Sequence, residues 1–529
     1  MISVERHSRD EYTDPDGKVH HQPRYSILTY TWGRFTKEGE EALPVKNTKW
    51  KIPSIDPQFF TVDAFQKVVN EHLAIDGIEW AWVDVACINQ DNDSLENSQE
   101  VGQQASIFDK AAAVFVWLWT LDLHTLKATT NNIVEYGLDL RNHIDGAPVE
   151  SGLTVHEIMP RLRMALKCLF ADCWFSSLWT LQEIVLRKDA VALSREAELI
   201  PWDENHVMHF VMIINVCQNV WQDVQDVEHR TGRMSSIGAS GPSNVIDDEV
   251  AAIKYLLLSA GFYYLLTDNP NVQYGTAKYR TTRNDTDRIY AIMQTYNIKV
   301  GKAARPDQDP ALHPGFEKLQ IEFGSAINDR CPILGQFFSH TEEIPEMTWC
   351  ITRNSTVPDA LMTYRDPRPA CHISLVPNSN QAFAEGSFCL LEDLVLLVNR
   401  PPLSDLSANT GDLFLDRYVR KNFSHTRESV WKIRLEDLLL IPNMSKKYGR
   451  ENLLVLRLGD VKAPPSIARG DTERKQIGLV VGTVDPTQPG KEAGQAYYRY
   501  GIYIWYESTQ WMTDQVRQLK WKKMKVLLN

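Results

Sequence analysis

Short apolar runs alternate with amphipathic stretches through the first two hundred residues, a pattern that predicts a parallel sheet covered by helices. Tyr25 to Tyr30 reads as the first strand, Glu79 to Asp84 as the second, Val114 to Leu118 as the third and Ala190 to Leu193 as the fourth. Residues 61–75 carry the spacing of an amphipathic helix. A second helix runs from about Leu95 to Ala112, with Val101, Ala105, Phe108 and Ala112 recurring on one side. After an irregular segment, two more helices fall at about 156–171 and 174–187. The expected architecture over residues 23–203 is a small doubly wound α/β domain behind a polar tail, residues 1–22.

The texture then changes twice. Residues 204–330 read as a helical region, with helices at 204–230 and 246–267 around a flexible Gly- and Ser-rich loop at 231–245. Near its end, Asp285 or Thr286 is placed to cap a helix carrying Ile289, Ile292 and Met293. From 331 to 529 strand-like runs bounded by Gly, Pro and Asp, such as Leu453-Leu-Val-Leu and Tyr498-Arg-Tyr-Gly-Ile-Tyr-Ile-Trp-Tyr506, predict a β-rich accessory domain.

At 529 residues the chain exceeds one ordinary core, which agrees with two or three domains. A hydrophobic fraction of 43%, with 15 Trp, 19 Tyr and 18 Phe, marks a folded protein. The net charge of -12 argues against a broad nucleic-acid surface. The basic run Lys520 to Lys525 reads as a solvated face. Neither a run of roughly 18 to 20 apolar residues nor an apolar signal core is found, so a cytoplasmic protein without a membrane span is expected. The eight cysteines (87, 168, 173, 217, 331, 350, 371 and 389) lack metal-site or disulfide spacing and read as free thiols.

Candidate chemistry collects where the predicted strands end, because parallel strands send their carboxyl ends to one edge. Tyr30, Trp32, Gly33 and Arg34 follow the first strand. The two rings are suited to stacking on a base or equally to a core, Gly33 to a tight turn, and Arg34 to a phosphate. Asp84 closes the second strand, where a carboxylate orients a ligand hydroxyl or caps a turn. Cys87 reads as a core thiol first and a nucleophile second. Glu183, on the helix begun by Trp174, lies one turn beyond Trp179. It serves either this crevice or a surface pair with Arg187.

Three segments together carry a resemblance. Tyr25-Ser-Ile-Leu-Thr-Tyr-Thr-Trp-Gly33, Trp82-Val-Asp-Val-Ala-Cys-Ile-Asn-Gln90 continued by Glu100 to Leu118, and Trp174-Phe-Ser-Ser-Leu-Trp-Thr-Leu-Gln-Glu183 resemble, in order, the signature blocks of the fungal heterokaryon incompatibility (HET) domain. The stretch Arg283 to Ile292 is similar to a segment that often follows it. Two positions depart from the family pattern, with Ser177 where Arg is usual and Trp119 where Gly is usual.

The resemblance implies a fungal protein of non-self recognition and programmed cell death. It further implies a TIR-like, flavodoxin-like fold, whose relatives often cleave NAD. Ser177-Leu-Trp-Thr-Leu-Gln-Glu183 looks like the TIR motif, which would make Glu183 the catalytic carboxylate, with Ser177 and Trp179 supporting it. NAD is then a substrate and no cofactor or metal is called for. The implied partners are further copies of the chain through the HET domain and an unknown protein activator. A non-enzymatic assembly module acting through protein–protein contact is the alternative, and a Cys87 thiol hydrolase a third.

Overall fold

The computed structural model describes residues 12–13, 17–20, 24–31, 34–37, 43–44, 50–72, 78–91, 94–202, 206–235, 243–263, 265, 267, 269–308, 312–342, 347–358, 361–362, 365–398, 411–420, 433–434, 440–462, 474–485, 496–506 and 510–529. They fall into two compact units, Met1–Leu266 with Tyr279–His313, and Thr267–Lys278 with Pro314–Asn529. The expected helical region, residues 204–330, is therefore shared between the units.

In the first unit four strands, β1 (Tyr25–Thr29), β2 (Trp80–Val83), β3 (Ala113–Trp117) and β4 (Val191–Leu193), pair in the order β2-β1-β3-β4, all parallel. Four of the five residues of β1 are buried, as a central parallel strand covered on both faces requires. Each crossover passes through helices. Helix α1 (Val62–His72) turns Phe65 and Val68 inward against Leu28, Tyr30 and Trp117, and burying such a side chain stabilises by roughly 1.5–3 kcal/mol.

Two crossovers differ from the expectation. The helix expected at 95–112 is broken into α2 (Leu95–Val101) and α3 (Gln104–Lys110) at Gly102, where an added Cβ would stand 3.3 Å from the Ala303 carbonyl oxygen. The segment read as irregular after β3 holds a 23-residue helix, α4 (Leu123–Asp145). Asp122 caps it by accepting from the Thr125 amide at 2.8 Å, and Gly146 ends it in the left-handed conformation. Leu126, Ile133 and Leu140 recur at seven-residue intervals inside it, but the run of Thr and Asn at 129–132 hides the pattern.

Helix α5 (Val155–Leu169) packs on α4. It is followed by a 3₁₀ turn, Cys173–Ser176, and by α6 (Leu178–Leu186). Helices α7 (Phe210–Ser235) and α8 (Ser243–Ala260) complete the layer, and α7 runs into the stretch expected to be loop. Residues 236–242 of that loop lie outside the described residues. The capped helix expected near 286 is a single turn, α9 (Asp287–Tyr290), and the Thr286 side chain does not cap it.

Among the described residues, the second unit is built on a nine-stranded sheet. Its main strands are Ala382–Leu390, Leu453–Lys462, Arg474–Gly482 and Tyr498–Tyr506, antiparallel throughout. The basic run forms the strand Lys522–Leu528 beside Ala382–Leu390, with Lys522, Lys523 and Lys525 exposed. The strand Tyr498–Tyr506 contributes to a buried ion pair, Arg499 Nε to Asp416 Oδ2 at 3.0 Å, both side chains fully inaccessible. Asp416 also accepts from the His340 amide and the Tyr418 hydroxyl, and Arg499 donates to Gln336 Oε1 at 2.7 Å.

His340 completes this network. Its Nε2 faces the Thr348 carbonyl at 2.9 Å and therefore carries the hydrogen, while Nδ1 accepts from Ser355 at 3.2 Å. Burial, with help from the Arg499 charge, lowers its pKa to about 4, against the attraction of Asp416. The unfolded chain thus takes up a proton near pH 6.5 that the folded chain refuses. Stability present above that pH is lost as the pH falls toward 4, on the order of 3 kcal/mol. Denaturant unfolding of the full chain at pH 7 and pH 4.5 is expected to show this loss in the second unit. His340→Gln is expected to reduce the pH dependence.

Candidate functional site

The register of the parallel sheet sets the site. Leu28 pairs with Val83, so the next residues, Thr29 and Asp84, stand side by side at the carboxyl edge. Asp84 opens a one-turn helix, Asp84–Cys87, and accepts from the Val85 amide at 2.7 Å.

The 3₁₀ turn brings a third group to this edge. Asp172 caps it by accepting from the Trp174 amide at 2.8 Å and binds Thr120 from the end of β3. Trp174 and Phe175 are both buried, which fixes where α6 begins. One face of α6 then carries Glu183 to β1, where the Thr29 hydroxyl donates to Glu183 Oε2. Thr29 in turn accepts from Trp174 Nε1 at 2.9 Å. The expected i+4 pair does not form, since Arg187 binds Asp189 and the carbonyls of Phe108 and Ala111.

Glu183 keeps a partial opening to solvent, yet protein surrounds most of its carboxyl. Burial raises its pKa to about 8 and the negative charge of Asp84 adds to the rise, while the Thr29 hydrogen bond and the charge of Arg280 oppose it. Asp84 is itself raised to about 6 by burial, against the Val85 amide and the Tyr30 hydroxyl. The edge thus holds two carboxyls of unequal acidity, a pattern common where proton transfer or a cationic ligand is handled.

Tyr30 corrects one expectation. Its ring is 4% exposed and packs against Phe65 and Trp117 at centroid distances of 5.2 and 6.4 Å, so it is core and not a stacking platform. Its hydroxyl lies within electrostatic reach of Asp84, and its pKa is raised by burial first and by Asp84 next. Cys87 lies close to that hydroxyl. Trp32 and Gly33 lie outside the described residues.

Arg34 is held from two sides, donating through Nη1 to Ser176 Oγ at 2.7 Å and through Nη2 to Thr281 Oγ1. Ser177 contributes backbone: its carbonyl accepts from Arg280 Nη1 at 2.9 Å, and its hydroxyl does not cap α6. Trp179 donates to Asp287 Oδ2 at 3.4 Å, an oxygen that Thr282 also binds. Trp119 stands with Phe35 and Phe59 beyond β3, at 5.1 and 5.5 Å, and donates to Cys173 Sγ.

A strap formed by residues 279–296 was not singled out from the sequence as part of this site, apart from the similarity noted at 283–292. Thr281 pairs with Ser177 as a short parallel bridge, the Leu178 amide donating to the Thr281 carbonyl at 3.1 Å. Arg280 is buried and donates to the Ser177 carbonyl, Thr180 Oγ1 and the Ala260 carbonyl. Burial lowers its pKa to about 9, which the charge of Glu183 opposes, and it stays cationic at neutral pH. Thr29 was missed because a lone Thr inside an apolar strand carries no signal until its partner is known.

Fold and edge together define a parallel α/β domain with an acidic site at its strand ends. Residues 25–183 match the family model described as heterokaryon incompatibility protein (HET), a span that closes on Glu183 itself. No curated protein and no solved structure matches the chain. Among the described residues, no helix is long and apolar enough to cross a membrane and no metal-binding cluster occurs.

Arg280→Met would take the guanidinium donor from two buried acceptors, Thr180 Oγ1 and the Ala260 carbonyl, and from the part-buried Ser177 carbonyl. It is expected to destabilise the first unit by about 3 kcal/mol, read by thermal unfolding, with Arg280→Lys intermediate.

Proposed function

We propose that the HET segment, completed by the strap, hydrolyses NAD as the effector of a heterokaryon-incompatibility response inside the cell, leading to programmed cell death. The observation that carries this reading is Glu183, a carboxyl set among protein at the end of β1 with Thr29 bonded to it and Asp84 close by. The sheet order β2-β1-β3-β4 supports a TIR-like, flavodoxin-like reading, in which ligands meet the sheet between β1 and β3.

The chemistry suits one carboxylate. The bond between ribose C1′ and the nicotinamide nitrogen breaks, and its electron pair leaves with neutral nicotinamide, so the leaving group needs no acid. Positive charge develops on the ribose, where ionised Glu183 stabilises it in a water-poor setting. Asp84 holds a ribose hydroxyl. Water adds to C1′ and a proton is released, giving ADP-ribose. Self-association through the domain, or a protein activator, brings the site into its working state.

A second reading has an observation of its own. With its pKa raised to about 8, Glu183 is mostly uncharged at pH 7 in the free protein, as suits a structural carboxyl in an assembly module. The two readings separate on pH and on one substitution. For the enzyme, kcat/KM rises with pH as Glu183 ionises and levels above about 8, because the ionised form does the work. Wild type and Glu183→Gln, expressed in a fungal or bacterial host, are expected to differ in both NAD and viability. Killing by wild type with NAD unchanged would overturn the enzymatic reading.

A further inference from the structure

Thr29 stands between two groups that leave its hydroxyl a single orientation. The indole Nε1 of Trp174, 2.9 Å away, has only a hydrogen to give, so Thr29 Oγ1 must accept it. The one hydroxyl hydrogen is then directed to Glu183 Oε2. Oε2 accepts in turn, so a proton carried by Glu183 resides on the other oxygen.

We infer that Thr29 is a positioning residue for the proposed reaction: the Trp174–Thr29 pair fixes Oε2 of Glu183 as an acceptor and reserves Oε1 for proton exchange and for the ligand. The inference rests on the reading of Glu183 as the working carboxylate.

The relay is held rigidly. Thr29 and Trp174 are 3% and 1% exposed, and the indole is wedged against Phe175 and Phe210 at 5.2 and 5.1 Å. A β-branched residue has few rotamers with which to escape. Asp84 and Arg280 influence Glu183 by their charges, which shift its titration without choosing between its two oxygens. Among the described residues, Thr29 is the one that hydrogen-bonds a Glu183 oxygen and orients it. Losing that bond removes a donor to the charged form, so the Glu183 titration moves upward.

The test uses the full chain carrying 13C-labelled glutamate, with the Glu183 carboxyl signal identified by its loss in Glu183→Gln. Thr29→Val, of nearly equal volume, is expected to raise the Glu183 titration by roughly one pH unit, and Thr29→Ser to restore it. Trp174→Phe, which keeps a ring but removes the N–H, is expected to move it the same way by less. In an NAD turnover assay, Thr29→Val is expected to lower kcat about tenfold or more with KM little changed, and Thr29→Ser to recover most of the loss.

A Thr29→Val protein that titrates and turns over like wild type would overturn the inference. If Thr29→Val does not fold, Trp174→Phe decides by the same measurements, and an unmoved titration there counts against the relay. If the titration shifts as expected but Glu183→Gln consumes NAD as fast as wild type, the enzymatic reading fails while the orientation of the carboxyl stands.

Discussion

The hydrogen bond from Thr29 to Glu183 joins the central strand of the sheet to α6, and the rest of the site is arranged around what that contact requires. A carboxyl removed from water loses hydration that one hydroxyl replaces only in part, so its acid form is favoured unless cations or further donors compensate. Here compensation is deliberately incomplete: Arg280 attracts the charge, Asp84 repels it, and burial outweighs both. The carboxyl is left mostly protonated at neutral pH yet within about one pH unit of ionising, so that a cationic ligand shifts it readily.

The second unit resolves the same problem the other way. Asp416 and Arg499 are fully buried and meet directly, and their remaining donors and acceptors are taken up by His340, Tyr418, Gln336 and Phe338. A pair hydrogen-bonded on every side serves to specify how its surroundings pack.

What the sequence made legible follows from how local each signal is. The strands at 25, 80, 113 and 191 were readable because apolar runs between turn residues report burial directly. Glu183 was singled out through residue spacing on one helix and a three-block resemblance. The α4 helix was hidden, because its Thr- and Asn-rich turn weakens propensity while its seven-residue stripe and caps hold it in place. Tyr30 shows a further limit: a ring at a strand end reads alike whether it faces ligand or core, and only Phe65 and Trp117 decide. Arg280 lies nearly a hundred residues beyond Glu183, a distance at which no spacing rule speaks.

The path of the strap has one more consequence. Between Leu266 and Tyr279 the chain leaves the first unit to lay down a helix, Pro270–Ala277, in the second, then returns with Arg280 and Thr281. No single cut therefore releases either unit whole, and a fragment ending where the HET match ends would lack the residues that hold the start of α6. On the ribosome, the setting of Glu183 stays unfinished long after the glutamate itself has emerged, so its maturation waits on synthesis of a part of the neighbouring unit.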